Sequence, residues 1–429
     1  MRPIDQAIAA HRNGKLAEAE TLYRRVLAAN SRDFDALHML GIVCAQRGQF
    51  AEAEKLLRAA NAVDPGVPPC LHNHGNVLGR LDRYEEAIAS YRKALAIAPN
   101  YAPIYSDLGN AQSALGRYDE ALVSHDMAVK LDPRSAQAHY NRGVTLFKLA
   151  RPDAALASYN WAISIDRNHA EAHSNRGDIF RNARNYNEAL AAYDKAAGIN
   201  PNLAEAWRGR GIVFFQLRRY EEAIAAFDTA LRLKPDLSEL QGWRQLAKLH
   251  ICDWRNFDVE VALLLEAVRN GKPAGTPFAM LSLPASSAEQ AQCARAWVAE
   301  LPATTPLWQG KIYKHDRIRL AYLSSDFRDH AVAHLTAGLF EEHDKSRFEI
   351  TALSLSGEEP ESDIRRRLKG AFERFVDVSR EPDTRVAEMI KQLEIDIAVD
   401  LNGFTDGMRL NILSRRPAPL QVRDRKSVV

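Results

Sequence analysis

Small, aromatic and helix-breaking positions recur along the first 237 residues with a period of 34. Glycines stand at Gly41, Gly75, Gly109, Gly143, Gly177 and Gly211 without a slip. Twelve positions after each comes an alanine, from Ala53 and Ala87 through Ala121, Ala155 and Ala189 to Ala223, with Ala19 one repeat earlier. Four further on lies a mostly aromatic site, holding Tyr23, Leu57, Tyr91, His125, Tyr159, Tyr193 and Phe227. Prolines close most of the units, at Pro65, Pro99, Pro133, Pro201 and Pro235. Small residues at fixed positions let two antiparallel helices approach closely, the aromatic fills the gap beside them, and proline stops the second helix. The pattern predicts paired helices stacked in register.

After Pro235 the period is expected to fail. Residues 238–269 keep apolar positions at helical spacing and are read as a helical cap. The breaker-rich run GKPAGTPFAMLSLP follows, then a short helix from Ser287 to about Glu300 and a second loop, which sets a boundary near residue 310. From Arg317 the pattern changes. RIRLAYLSS, FEITALSLS, RFVDVS, IDIAVDLNG and APLQV read as strands, separated by VAHLTAGLFEEHD, ESDIRRRLKGAF, DTRVAEMIKQL and RLNILSRR as helices. Strands spaced by helices imply crossovers and a parallel sheet covered on both faces, with ligands at the carboxyl ends of the strands. The fold class is therefore an α-solenoid followed by an α/β, Rossmann-like lobe.

Composition narrows the partners. With 57 Lys+Arg against 55 Asp+Glu in 429 residues, the net charge of +2 supplies no field to recruit nucleic acid or an anionic membrane. No window reaches the length of a membrane span. Cys44, Cys70, Cys252 and Cys293 stand far apart, with neither metal-site spacing nor a disulfide framework, so no metal and no cofactor are expected and the chain reads as a soluble protein of a reducing, cytoplasmic compartment.

Period and signature together identify the first part as tetratricopeptide repeats. Seven units are expected over residues 1–237, the first degenerate, with Ala7, Val26 and Ser31 at its signature sites. Such a stack presents a face made by the first helix of each pair. Asn73, Asp107, Asn141 and Asn175 fall two residues before the repeat glycine, and Asn76 and Asn110 one after it. An asparagine amide offers donors and an acceptor to the backbone of an extended peptide. Protein or peptide segments are thus the expected partners, and solvated polarity on a helix face is the alternative.

The second part carries a resemblance. YLSSDFRDHAVAHL, HICDWRNFD and DLNGFTDGMRLNILSRRPAPLQV, behind such an array, resemble the O-linked N-acetylglucosamine (O-GlcNAc) transferase family, and plant fucose-transferring relatives share the architecture. The resemblance implies a protein O-glycosyltransferase moving GlcNAc from UDP-GlcNAc to Ser or Thr, without a metal, in a cleft between two lobes of the B-type glycosyltransferase fold. Residues 311–422 would be the first lobe and 238–310 cap and linker. His330 matches a histidine proposed in that family as catalytic base or acceptor-orienting group, a role an imidazole can fill; it could equally cap the helix beginning near Ala331.

Around it, Asp326 and Asp329 could orient the imidazole or cap the helix, and His334 could steady His330 or pack in the interior. Asn402, Gly403 and Thr405 follow a strand, where glycine serves either a ligand's close approach or a tight turn. His343 and Arg365, Arg366 and Arg367 read as solvated helix surface. Residues 423–429, RDRKSVV, depart from the family pattern and read as a truncated or foreign end. On the resemblance the main UDP-binding groups belong to a second lobe, so a nucleotide-sugar donor is expected only in a full-length form and this chain alone is expected to be inactive. A non-enzymatic repeat scaffold is the competing class.

Overall fold

The computed structural model describes residues 2–423 apart from 238, 300, 302–303, 358–361 and 406. Of the tail expected at 423–429, only Arg423 falls among them. The chain divides into two compact units, Met1–Val213 and Phe214–Val429.

The first unit is a series of helical hairpins. α1 (Pro3–Arg12) pairs with α2 (Leu16–Ala29), α3 (Phe34–Gln46) with α4 (Phe50–Val63), and α5 (Pro68–Arg80) with α6 (Tyr84–Ile97). α7 (Ala102–Ala114) and α8 (Tyr118–Leu131), α9 (Ala136–Lys148) and α10 (Pro152–Ile165), and α11 (Ala170–Asn182) and α12 (Tyr186–Ile199) continue the series, and α13 (Ala204–Gln216) opens the seventh repeat. The repeat glycine is where the second helix inserts its aromatic ring. A Cβ on Gly75 would lie 2.4 Å from the Tyr91 ring, and one on Gly143 would lie 2.6 Å from Tyr159. His125 fills the same slot in the fourth repeat. It is buried with Nδ1 2.9 Å from Thr145 Oγ1, and burial pushes its imidazole down to about 4. Each hairpin turns through a left-handed residue at the same 34-residue spacing: Gly14, Gly48, Asp82, Gly116, Ala150 and Arg184.

Polar pairs repeat as well. Arg142 pairs with Asp126, Arg176 with Asn160 and Arg210 with Asp194, each joining a first helix to the second helix of the preceding repeat. In the later repeats a ring nitrogen bonds the carbonyl six residues earlier, which ties the inter-repeat turn: His139 to Pro133 at 3.1 Å, His173 to Arg167 at 3.2 Å and Trp207 to Pro201 at 2.9 Å.

In the second unit α14 (Tyr220–Leu233) packs on α15 (Glu239–His250), and Arg244 pairs with Asp228 at the same separation of 16. The period thus persists one helix beyond the seventh repeat, with Gln245 in the glycine position. The cap expected as one helix is two, α15 and α16 (Phe257–Arg269), separated by a turn in which Cys252 and Asn256 take positive φ. A 3-10 turn (Ala279–Ser282) and α17 (Ser287–Ala299) follow.

The strands β1 (Ile318–Ser324), β2 (Phe348–Ser354), β3 (Arg374–Asp377), β4 (Ile397–Asp400) and β5 (Leu420–Arg423) form a parallel sheet in the order β3-β2-β1-β4-β5. Alternation along β1 sends Leu320 and Tyr322 to one face and Ala321 and Leu323 to the other. The first face is covered by α18 (Ala331–Glu341) and α19 (Asp363–Ala371) through Phe340, Ile364 and Leu368. The second is covered by α20 (Asp383–Gln392) and α21 (Leu410–Ser414) through Val386, Ile390 and Ile412. Two surface readings are corrected here. His343 is half-buried, with Nε2 2.8 Å from the Tyr322 hydroxyl. Arg365 is buried on α19, because its guanidinium reaches inward to the Phe327 carbonyl.

Candidate functional site

The strand order decides where chemistry can gather. Chain direction across the sheet reverses between β1 and β4, so the loops after these two strands diverge from a shared crevice at their carboxyl ends. Ser325–His330 occupies one side and Leu401–Arg409 the other.

Asn402 ties the two loops together. It is 1% exposed. Its Oδ1 accepts the Ser325 amide at 2.7 Å, and its Nδ2 donates to Ser325 Oγ at 2.6 Å. The Thr405 hydroxyl donates back to the Asn402 carbonyl at 2.8 Å, and Asp400 Oδ1 accepts the amides of Asn402 and Gly403 at 3.0 and 3.2 Å. Gly403, with φ of 58°, is a turn glycine. The close approach occurs at Gly407, where a Cβ would stand 2.6 Å from Ser325. Ser325 and Gly407 escaped the sequence reading, since nothing local links positions so far apart.

His330 is the N-cap of α18. Its Nδ1 accepts the Val332 amide at 3.3 Å, with Asp326 Oδ1 3.7 Å away, and its side chain is 39% exposed. The aspartates do not cap. Asp326 is buried, its amide donating to Ser324 Oγ at 3.0 Å, and Asp329 is exposed, 2.8 Å from His334 Nε2. His334 is correspondingly at the surface and not in the interior, because it lies on the outer face of α18 beside exposed Leu335. Burial pushes the thiols of Cys70 and Cys293 up to about 12 and about 11, so neither supplies a thiolate nucleophile near neutral pH.

In the first unit the asparagine positions form rungs between neighbouring repeats. Asn73 Nδ2 lies 3.0 Å from His38 Nε2, Asp107 Oδ2 2.7 Å from His72 Nε2, Asn141 Nδ2 3.0 Å from Ser106 Oγ and Asn175 Nδ2 3.3 Å from the Tyr140 hydroxyl, each across 35 residues. Part of every amide is therefore spent within the protein. Asn141 also accepts from Gln137 at 2.7 Å and is buried, which leaves it least available, whereas Asn110 is exposed. Asn76 accepts the Tyr91 hydroxyl at 2.7 Å. The series stops at Gly209, where the Tyr193 ring takes the space.

Comparison with known proteins follows the same division. Residues 4–68, 69–134, 136–169 and 175–238 match tetratricopeptide-repeat models, and residues 287–424 match Glycosyl transferase family 41. The latter match begins inside the stretch read as cap and linker, part of which is bound to the lobe: Leu307 and Trp308 donate to Arg415 and Arg416 carbonyls at 2.7 and 2.9 Å. The chain is 32% identical over 189 residues to the UDP-N-acetylglucosamine–peptide N-acetylglucosaminyltransferase of Caenorhabditis elegans, covering 40% of this chain and 16% of that protein. It is 36% identical over 121 residues to the probable Arabidopsis thaliana enzyme SEC, covering 28% and 12%. The matches thus span under a fifth of these relatives. Among solved structures, a mutant of the Thermobaculum terrenum O-GlcNAc transferase aligns at 21% identity and TM-score 0.38 over 67% of this chain and 50% of that one.

Proposed function

Residues 287–424 being a family 41 glycosyltransferase segment carried behind tetratricopeptide repeats, we propose that the chain is the acceptor-selecting part of a protein O-glycosyltransferase. The repeat face binds extended protein segments, and the β1/β4 crevice presents His330 to a Ser or Thr hydroxyl. His330 accepts that hydroxyl's proton, or orients it, as the oxygen attacks the anomeric carbon of UDP-GlcNAc with inversion and release of UDP. No residue here is assigned to the donor; its main binding groups are expected in a second lobe. A cytoplasmic setting fits the unpaired cysteines and the lack, among the described residues, of a helix long and apolar enough to cross a membrane.

The observation that carries this reading is the union of the two loops through Asn402 beside the half-exposed imidazole, within the family 41 segment. The test is His330→Ala in the longest native polypeptide that contains residues 1–422, with transfer of labelled GlcNAc from UDP-GlcNAc to protein as the readout. A fall of about 100-fold or more is expected; an unchanged rate removes His330 from the chemistry, and transfer from GDP-fucose instead would reassign the donor. One observation favours the scaffold reading: the Nδ1 lone pair of His330 is engaged as a helix cap.

A further inference from the structure

We propose that Arg365 is a positioning residue for His330, acting through the carbonyl of Phe327; the proposal rests on the reading of His330 given above. Arg365 lies in the first turn of α19 and is 5% exposed. Its guanidinium donates to the Phe327 oxygen at 2.7 Å and stands 5.4 Å from the centre of the Phe375 ring. Among the described residues no carboxylate pairs with it. Burying a guanidinium without a counter-ion costs free energy that an aliphatic side chain would not. What it supplies in return is a directed, charge-assisted donor at one backbone oxygen.

That oxygen sits midway along the loop. On one side Ser325 is held by Asn402. At the centre the buried Phe327 ring is clasped by Phe340, Phe372 and Phe375, with centroids 6.0, 5.6 and 5.8 Å away. His330 follows three residues later. With the Phe327 carbonyl fixed, the peptide planes leading to His330 lose their freedom to swing, and Nδ1 stays between the Val332 amide at 3.3 Å and Asp326 Oδ1 at 3.7 Å.

These two neighbours require opposite tautomers. Nδ1 accepts from an amide only when the ring proton is on Nε2, and donates to a carboxylate only when Nδ1 carries it, which frees the Nε2 lone pair to act as a base. The two distances differ by so little that small loop displacements change which partner wins. Arg365 therefore sets the tautomer balance of His330 without touching substrate.

The experiment uses the full chain with ring-nitrogen-labelled histidines, the His330 signals being assigned by their loss in His330→Gln. The wild type is expected to show one dominant tautomer, protonated on Nε2, the form that orients the acceptor hydroxyl by donating to it, whereas taking its proton requires the minor form protonated on Nδ1. In Arg365→Met the tautomer ratio should move at least threefold toward equality, and in Arg365→Lys by less in the same direction. An unchanged ratio in Arg365→Met, even with a lowered Tm, would leave Arg365 a prop for packing and overturn the proposal. Should the Met variant not fold, the Lys variant decides, and a wild-type ratio there overturns it too. Failure of His330→Ala to affect transfer would sink the functional reading alone, leaving the tautomer result intact.

Discussion

The repeat array and the sheet region spend their polar groups in opposite ways. In the array, partners recur at fixed separations: 35 residues for the rungs, 16 for the arginine pins and 6 for the ring-to-turn bonds. Each bond couples only neighbouring elements. In the sheet region the bonds that matter converge on one loop from unrelated distances: Asn402 reaches Ser325 across 77 residues and Arg365 reaches Phe327 across 38. Periodic pairing builds an extended surface of similar sites, whereas convergent pairing fixes one group in one place. The first suits selection of protein segments and the second suits chemistry.

The largest predicted effect tests whether one repeat can be singled out by its chemistry. His125 stands where five of the other six repeats have tyrosine or phenylalanine, and its folded-state pKa of about 4 lies below the ordinary 6.5. A depressed histidine favours the neutral form in the folded state, so its stabilising contribution is present above pH 6.5 and is lost as pH falls toward 4. The loss amounts to about 3 kcal/mol. His125→Phe should remove that part of the acid sensitivity in denaturant titrations compared across this window; parallel curves for the two proteins would contradict it. Next comes the convergent site. Asn402→Ala removes two buried hydrogen bonds to Ser325 and should cost the sheet region about 2 kcal/mol, seen as an earlier unfolding transition and faster amide exchange in residues 324–330. Exchange no faster than wild type would mean the loop is held by other groups. The smallest effect is a gain. Ala150 holds the left-handed turn that glycine occupies at Gly14, Gly48 and Gly116, so Ala150→Gly should stabilise the array by about 0.5–1 kcal/mol. A fall in Tm would show the turn strain to be already relieved.

The contrast also governs what the sequence disclosed. The array was legible because a period multiplies weak signals: a single glycine says little, but six in phase name the helix pair. Even the extension into α15 is written there, in Arg142, Arg176, Arg210 and Arg244, although the glycine series itself stops at Gly211. Strands and crossover helices in the last hundred residues were legible from alternation and length. The strand order was not, since it depends on which apolar edges meet in space, and with it went the Asn402–Ser325 union. Arg365 shows the same limit at one residue. Within three consecutive arginines, charge pattern alone predicts solvent, and only the position of α19 against Phe327 and Phe375 reveals that the first of them turns inward.

The ring-to-turn bonds carry a mechanical consequence. His139, His173 and Trp207 fasten the turns that precede their own repeats, but the second and third repeats have Leu37 and Leu71 at that position, which can fasten nothing. A chain tugged from both ends would therefore open its early turns while the later ones stay latched, so slack enters the array from its amino-terminal half.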